Sequence, residues 1–314
     1  MAAVAGMAQT NAAAQTTAFP AHAIRFVVPF PPGSGTDATA RVFANAIGDI
    51  TGKPAIVENK PGANGVVAVQ AALGAPADGH TIFFGSNSTL TTNVALLKKL
   101  PYDPLNDFKP LTVASRSAML IIVPAASPYK TMGELVADAR KRPGALNYGS
   151  GSASYTLYTE WLNDIAQMKT TNIGFKGAGE VITAMAGGQL DFAVVDSTGA
   201  VELVKSGRIR ALAYTDEMRS VLVPQVPTVA EAGLPGFLAS AWVGAAVSAK
   251  TPDPIVRELE ALFQKAGARQ DVNDYFERVG MTRWMMKAQH MRQFQIDEIA
   301  RWKRIAGIAG IEQQ

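Results

Sequence analysis

Residues 24–50 read IRFVVPFPPGSGTDATARVFANAIGDI, and this stretch decides the fold. The β-branched and aromatic run at 24–30 predicts a strand that ends at Pro31-Pro32. Beyond the turn, apolar residues recur at helical spacing over 36–50, and Gly52 supplies the stop. The strand–loop–helix order continues with a strand at 55–57, a helix at 65–73 and a strand at 81–84. Strands that alternate with helices imply a parallel sheet, with ligands near the carboxyl ends of the strands.

The turn carries Gly33, Ser34, Gly35, Thr36 and Asp37, with neither Lys nor Arg. Glycines let the backbone approach a ligand closely, and the first N–H groups of the following helix lack internal partners. The loop is therefore a seat for an anion. A second seat is expected at 148–156, YGSGSASYT. One helix cap needs one hydroxyl side chain, so Ser150, Ser152, Ser154 and Thr156 exceed that need and point to a ligand. Two seats suggest one small anion held between two lobes.

The 314-residue length suits two lobes. With 29 basic against 26 acidic residues, the net charge of +3 is too small and dispersed for a nucleic-acid partner. Without cysteine there is no thiol catalysis, disulfide or cysteine-bound metal. No uncharged apolar stretch reaches the ~18 to 20 residues that a spanning helix needs. The first charge is Arg25, and the Ala-, Thr- and Gln-rich residues before it, with small residues at Ala12, Ala13 and Ala14, read as a signal-peptide remnant or a disordered tail over 1–23.

The apolar run 111–123 is expected to carry the chain from one lobe to the other and to act as a hinge. Thr131 and Glu134 form a capping box that starts a helix. Further strands are expected at 146–148, near Ile173, at 190–195 and at 208–214, alternating with helices at about 154–168, 180–186 and 200–205. A return strand is expected at 242–247. Helices from Pro254 onward are expected to pack on the first lobe, with 292–305 facing solvent. The lobes are then 24–122 with 244–314, and 123–243.

Other patterns bear on function. Gly33, Gly35 and Ala38 match a dinucleotide fingerprint, with Glu58 placed for a ribose. Pro29, Pro31 and Pro32 lengthen that turn, however, and Asp37 puts a negative charge where a pyrophosphate would lie. The three histidines, His22, His80 and His290, are too few and scattered for a catalytic triad or a metal site. Asp196, and Ser86 with Asn87, follow strands where site residues belong, although Asp and Ser also serve as ordinary caps. Tyr155, Tyr158 and Phe175 suit either an apolar pocket wall or the core.

The chain resembles the periplasmic solute receptors of tripartite tricarboxylate transporters, the Bug-type binding proteins. The matching segments are 24–41, 57–65 (VENKPGANG), 77–81 (ADGHT), 100–108 (LPYDPLNDF), 175–177, 187–191, 207–213 and 226–236 (VPTVAEAGLPG), in order along nearly the whole chain. The resemblance implies an α/β, type II periplasmic binding-protein fold whose two lobes, joined by crossing strands, close on a carboxylate. It implies a monomer that catalyses no reaction, uses no cofactor and delivers its solute to membrane permease subunits. The glycine loop (Gly33, Ser34, Gly35, Thr36, Asp37) and the serine-rich loop (Ser150, Ser152, Ser154, Tyr155, Thr156) are implied to hold the ligand, joined by Ser86, Asn87 and Asp196. Where the family commonly has a histidine, a serine and a tyrosine, this chain has Thr156, Tyr155 and Phe175. An aromatic or otherwise apolar carboxylate, or a dicarboxylate, is expected rather than a citrate-like polyanion. The alternatives are an NAD(P)-dependent oxidoreductase and a carboxylate sensor for a signalling partner.

Overall fold

In the computed structural model, residues 19–151, 153–175 and 178–313 are described. Strand β1 (Ile24–Val28) runs into helix α1 (Gly35–Thr51). The Ser34 hydroxyl accepts the Asp37 N–H at 3.2 Å and so caps α1. Gly52 ends the helix at φ 67°, where a side chain would be strained. Next come β2 (Ala55–Asn59), α2 (Val66–Leu73) and β3 (Thr81–Ser86), with β1 pairing in parallel with both β2 and β3. A π-helical turn at Ser88–Thr92 and the short α3 (Asn93–Leu96) lead away from β3.

Strand β4 (Phe108–Pro124) serves two lobes. Up to Ala118 it pairs with β9 (Ser240–Ser248), and over 112–116 with β10 (Thr282–Lys287), in a sheet ordered β10-β4-β9-β3-β1-β2. From Met119 onward it pairs with β7 (Ala193–Asp196) and β8 (Ile209–Tyr214). The second lobe adds the parallel pair β5 (Asn147–Ser150) and β6 (Thr171–Gly174). It also holds α4 (Met132–Lys141), α5 (Ala153–Ala166), α6 (Ala178–Ala186) and α7 (Ser197–Lys205). α4 starts with the expected Thr131–Glu134 capping box. At the crossing, the buried Thr215 hydroxyl accepts the Met119 N–H at 2.7 Å and donates to the Ala239 carbonyl, which ties three passing segments together.

The first-lobe core joins Phe26, Phe43 and Phe84 to Phe263 of α8 (Asp253–Gly267) and Phe276 of α9 (Gln270–Val279). Each such ring is worth about 1.5–3 kcal/mol of burial. Two expectations about the end of the chain are corrected. β10 interrupts the helices, and α10 (Ala288–Ile308) exposes only one face along 292–305, with Gln293, Asp297, Ala300 and Arg304, and does not pack on the first lobe alone. Its face Met291, Gln295, Glu298, Trp302 and Ile305 is buried, and Trp302 and Ile305 enter the second-lobe cluster with Trp161 and Tyr158. Polar residues at core-facing positions hid that face from a hydrophobicity reading.

Residues 19–23 of the expected tail are held on the first lobe. Phe19 packs against the first-lobe core, and the Ala21 N–H donates to His80 Nε2 at 3.1 Å. Residues 1–18 lie outside the described part.

Candidate ligand-binding cleft

Strand direction brings the expected site residues to one junction. β9 is antiparallel to both β3 and β4, so β1, β3 and β4 all point toward the second lobe. β7 and β8 run antiparallel to β4 and point back, and β5 joins their direction through a parallel bridge between Tyr148 and Phe192. The carboxyl ends of β1 and β3 therefore confront those of β5 and β7 across the crossing. In register, Asp196 lies opposite Met119, and Ser240 opposite Ala118.

On the first lobe, Gly33 has φ 84° and donates its N–H to Asp37 Oδ2 at 2.8 Å. Asp37 is buried and also accepts from Asn59 Nδ2 at 2.8 Å and from the Arg41 guanidinium at 2.9 Å. Burial alone would raise its pKa, but the bonds from Arg41, Gly33 and Asn59 outweigh that and hold the carboxyl below its ordinary value. Asp37 thus shapes the loop from beneath. The N–H groups of Gly35 and Thr36, in the first turn of α1, are those a helix leaves without internal partners. The Ser86 hydroxyl donates to Ser88 Oγ at 3.1 Å. Asn87 Nδ2 donates to the Tyr158 hydroxyl at 2.7 Å, and Tyr158 donates to the Ser240 carbonyl at 2.9 Å, so Asn87 bridges the lobes.

On the second lobe, three side chains close a ring. Thr156 Oγ1 donates to Ser150 Oγ at 2.9 Å, Ser150 donates to Asn172 Oδ1 at 2.8 Å, and Asn172 Nδ2 donates to Thr156 at 3.4 Å. Ser150 and Thr156 brace the loop through this ring. Ser154 lies in the first turn of α5, half-buried, and Ser152 lies outside the described residues. The half-buried Tyr155 meets Tyr158 edge-on at 6.1 Å. Burial first, and then the negative charge of Asp196, push the Tyr155 phenol above its ordinary pKa, which places the two side chains in one electrostatic neighbourhood. Asp196 accepts from Ser117 Oγ at 3.2 Å. The Phe175 N–H donates to the Ser150 carbonyl at 2.8 Å, and its half-buried ring leans over Gly149, where an added Cβ would lie 3.4 Å from Cε2.

Sequence reasoning missed Asn172, Ser117 and Thr215, which act through partners distant in sequence. The serine-rich loop signalled the region but not that two of its hydroxyls are consumed internally.

Two other chemistries lose their footing. Glu58 pairs with Lys60 at 2.7 Å and with Arg25 at 3.2 Å, so its carboxylate is committed within the first lobe. His22, Asp78 and His80 form the one group among the described residues with metal-ligand spacing. The Ala21 N–H donates to His80 Nε2 at 3.1 Å, so that nitrogen is already engaged by the backbone, and His80 Nδ1 lies 3.3 Å from Asp78. The imidazoles of His22 and His80 also stack at 3.6 Å, so their in-plane lone pairs do not converge on one ion.

Residues 39–311 match the model of the tripartite tricarboxylate transporter family receptor, TctC. The chain belongs to this family. The receptor is 30% identical over 297 residues to BugT of Bordetella pertussis, covering 93% of this chain and 90% of that protein. It superposes on an R. palustris protein solved with adipate at a TM-score of 0.80, with 28% identity, covering 94% of this chain and 100% of the other. MatC of Rhodopseudomonas palustris, solved with bound malate, gives a TM-score of 0.75 at 31% identity, covering 91% of this chain and 99% of the other. The fold is that of the periplasmic binding proteins of this type, and the chain is a substrate-binding receptor rather than an enzyme. Among the described residues, no helix is long and apolar enough to cross a membrane.

Proposed function

We propose that this receptor, exported to the periplasm, captures a small organic carboxylate between its lobes as a monomer and delivers it to the permease subunits of a tripartite tricarboxylate-type transporter. The observation that carries the reading is the convergence of the carboxyl ends of β1, β3, β5 and β7 on one junction, where α1 and α5 begin. Helix starts supply N–H donors and a favourable dipole for an anion without any Lys or Arg among the candidate residues. The structural relatives solved with adipate and with malate support a carboxylate as the class of ligand.

In this reading the N–H groups of Gly35 and Thr36 and the start of α5 at Ser154 receive carboxylate oxygens. Tyr155 and Phe175 face the body of the ligand and favour an apolar or aromatic one. Asp37, Ser86, Ser150 and Thr156 hold the loops in shape. Closure pivots where β4 changes partners between Ala118 and Met119, with the return through Thr215 and Ser240.

The test is thermal denaturation against a panel of aliphatic and aromatic mono-, di- and tricarboxylates, with NAD and NADP as controls. A ligand at about 100 times its Kd stabilises by about 2.7 kcal/mol. With an unfolding entropy of about 0.7 kcal/mol/K for 314 residues, the midpoint rises by about 4 °C. A shift confined to dinucleotides, or none with any carboxylate, overturns the reading.

A further inference from the structure

The junction is backed by a buried acid. Glu298 of α10 is 4% exposed, and its Oε2 accepts the Trp242 indole N–H at 2.7 Å. The same oxygen lies 3.2 Å from Thr91 Oγ1, and Thr91 Oγ1 lies 2.8 Å from the Asn87 carbonyl oxygen. Thr91 is fully buried and has one hydroxyl proton. Its shorter contact, to Asn87, takes that proton. The contact to Glu298 is then a hydrogen bond only if the carboxyl supplies a proton of its own, because two oxygens without one between them repel.

We propose that Glu298 is held as a neutral carboxylic acid that donates to Thr91, and that this donation positions Asn87 against Tyr158 at the floor of the junction. The chain of donors runs from Glu298 to Thr91 to the Asn87 carbonyl. The Asn87 side chain then donates to Tyr158, and Tyr158 to the Ser240 carbonyl at the start of β9. It links α10, the π-helical turn, α5 and a crossing strand, so the proton on Glu298 is coupled to the geometry between the lobes. Glu298 is a positioning residue, and its bearing on affinity rests on the reading of the junction as the ligand cleft.

The surroundings favour the neutral form. Burial raises the Glu298 pKa and outweighs the lowering by the Trp242 indole, Arg301, the Thr91 hydroxyl and the Trp302 indole. The charged group facing it is Arg301 on its own helix, 3.7 Å from Oε1, whose guanidinium lies over the Trp161 ring at 4.7 Å. The titratable group facing it from α5 is Tyr158, whose phenol is pushed upward by burial and then by Glu298. Neither Trp242 of β9 nor Thr91 of the π-helical turn carries charge.

The experiment compares the full-length parent with Glu298→Gln, Glu298→Ala and Thr91→Val by infrared spectroscopy and by carboxylate affinity. At neutral pH, the parent-minus-Glu298→Gln difference spectrum is expected to show the C=O stretch of a protonated carboxylic acid. Its absence overturns the proposal. Trp242 and Thr91 both meet Oε2, and glutamine cannot serve both from that one position, because its oxygen only accepts and its NH2 only donates. Glu298→Gln therefore serves as the infrared reference, while Thr91→Val and Glu298→Ala are expected to weaken binding by about tenfold, the size of one lost buried hydrogen bond. If Glu298→Ala does not fold, Thr91→Val decides: parent-like affinity there refutes the positioning role. A parent that binds no carboxylate in the panel refutes the proposed function instead, while the infrared band still decides the proton.

Discussion

Tyr158→Phe removes one oxygen atom from the contact between the lobes and leaves the ring packing untouched. The hydroxyl accepts from Asn87 Nδ2 at 2.7 Å and donates to the Ser240 carbonyl at 2.9 Å, at a site where Tyr158 is 2% and Asn87 5% exposed. A hydrogen bond contributes about 1 kcal/mol net, and a buried donor or acceptor left without a partner costs about 1–3 kcal/mol. Two bonds lost with little water to replace them give a destabilisation of about 2–4 kcal/mol. At about 0.7 kcal/mol/K for 314 residues, the melting midpoint is expected to fall by about 3–6 °C. Because Asn87 lies on the first lobe and Tyr158 on the second, carboxylate affinity is expected to fall as well, through a less favourable closed form. Calorimetry and titration of the same preparation read both effects. A midpoint within about 1 °C of the parent, with unchanged affinity, would show that the bridge does not join the lobes energetically.

Gly35→Leu should separate binding from stability. A Cβ there meets nothing within 4 Å and the backbone is not left-handed, so the midpoint should hold while affinity for any carboxylate in the panel falls by up to ~30-fold, the value of a helix-start anion contact. A parent-like Kd would remove α1 from the site. Gly244→Ala should do the reverse: a Cβ would lie 2.8 Å from the Thr112 carbonyl across the β4–β9 pairing, and about 1–3 kcal/mol of stability should be lost in denaturant titrations. Two acids should give pH dependences of opposite sign. The Asp37 carboxyl lies below its ordinary 3.8, so its stabilisation is present above that value and is lost as pH falls through the folded pKa. Asp37→Asn should flatten that acid limb. The Glu298 carboxyl lies above its ordinary 4.5, so the folded chain binds the extra proton and stability falls as pH rises from 4.5 to the raised value. Glu298→Gln should remove that slope in midpoints measured across the range.

Local order was legible in the residues themselves. The run at 24–50 specified strand, turn and helix, Thr131 and Glu134 specified a capping box, and Gly52 a helix stop, because each depends on neighbours within a few residues. The two glycine- and hydroxyl-rich loops lie where the sequence placed them, after β1 and β5, and the ordered motifs marked the family. Tertiary structure alone decided which polar groups remain for a ligand. Ser150 and Thr156 are bound by Asn172 from another strand, Asp37 by Asn59, and Asn87 by Tyr158 from the opposite lobe. It also decided that Gln295 and Glu298 face inward on α10 and that β4 divides between two lobes at Ala118 and Met119. A hydroxyl or carboxyl has the same appearance in a sequence whether it meets water, a ligand or a distant side chain. Its partner is set by where the strands cross, and only the folded chain contains that.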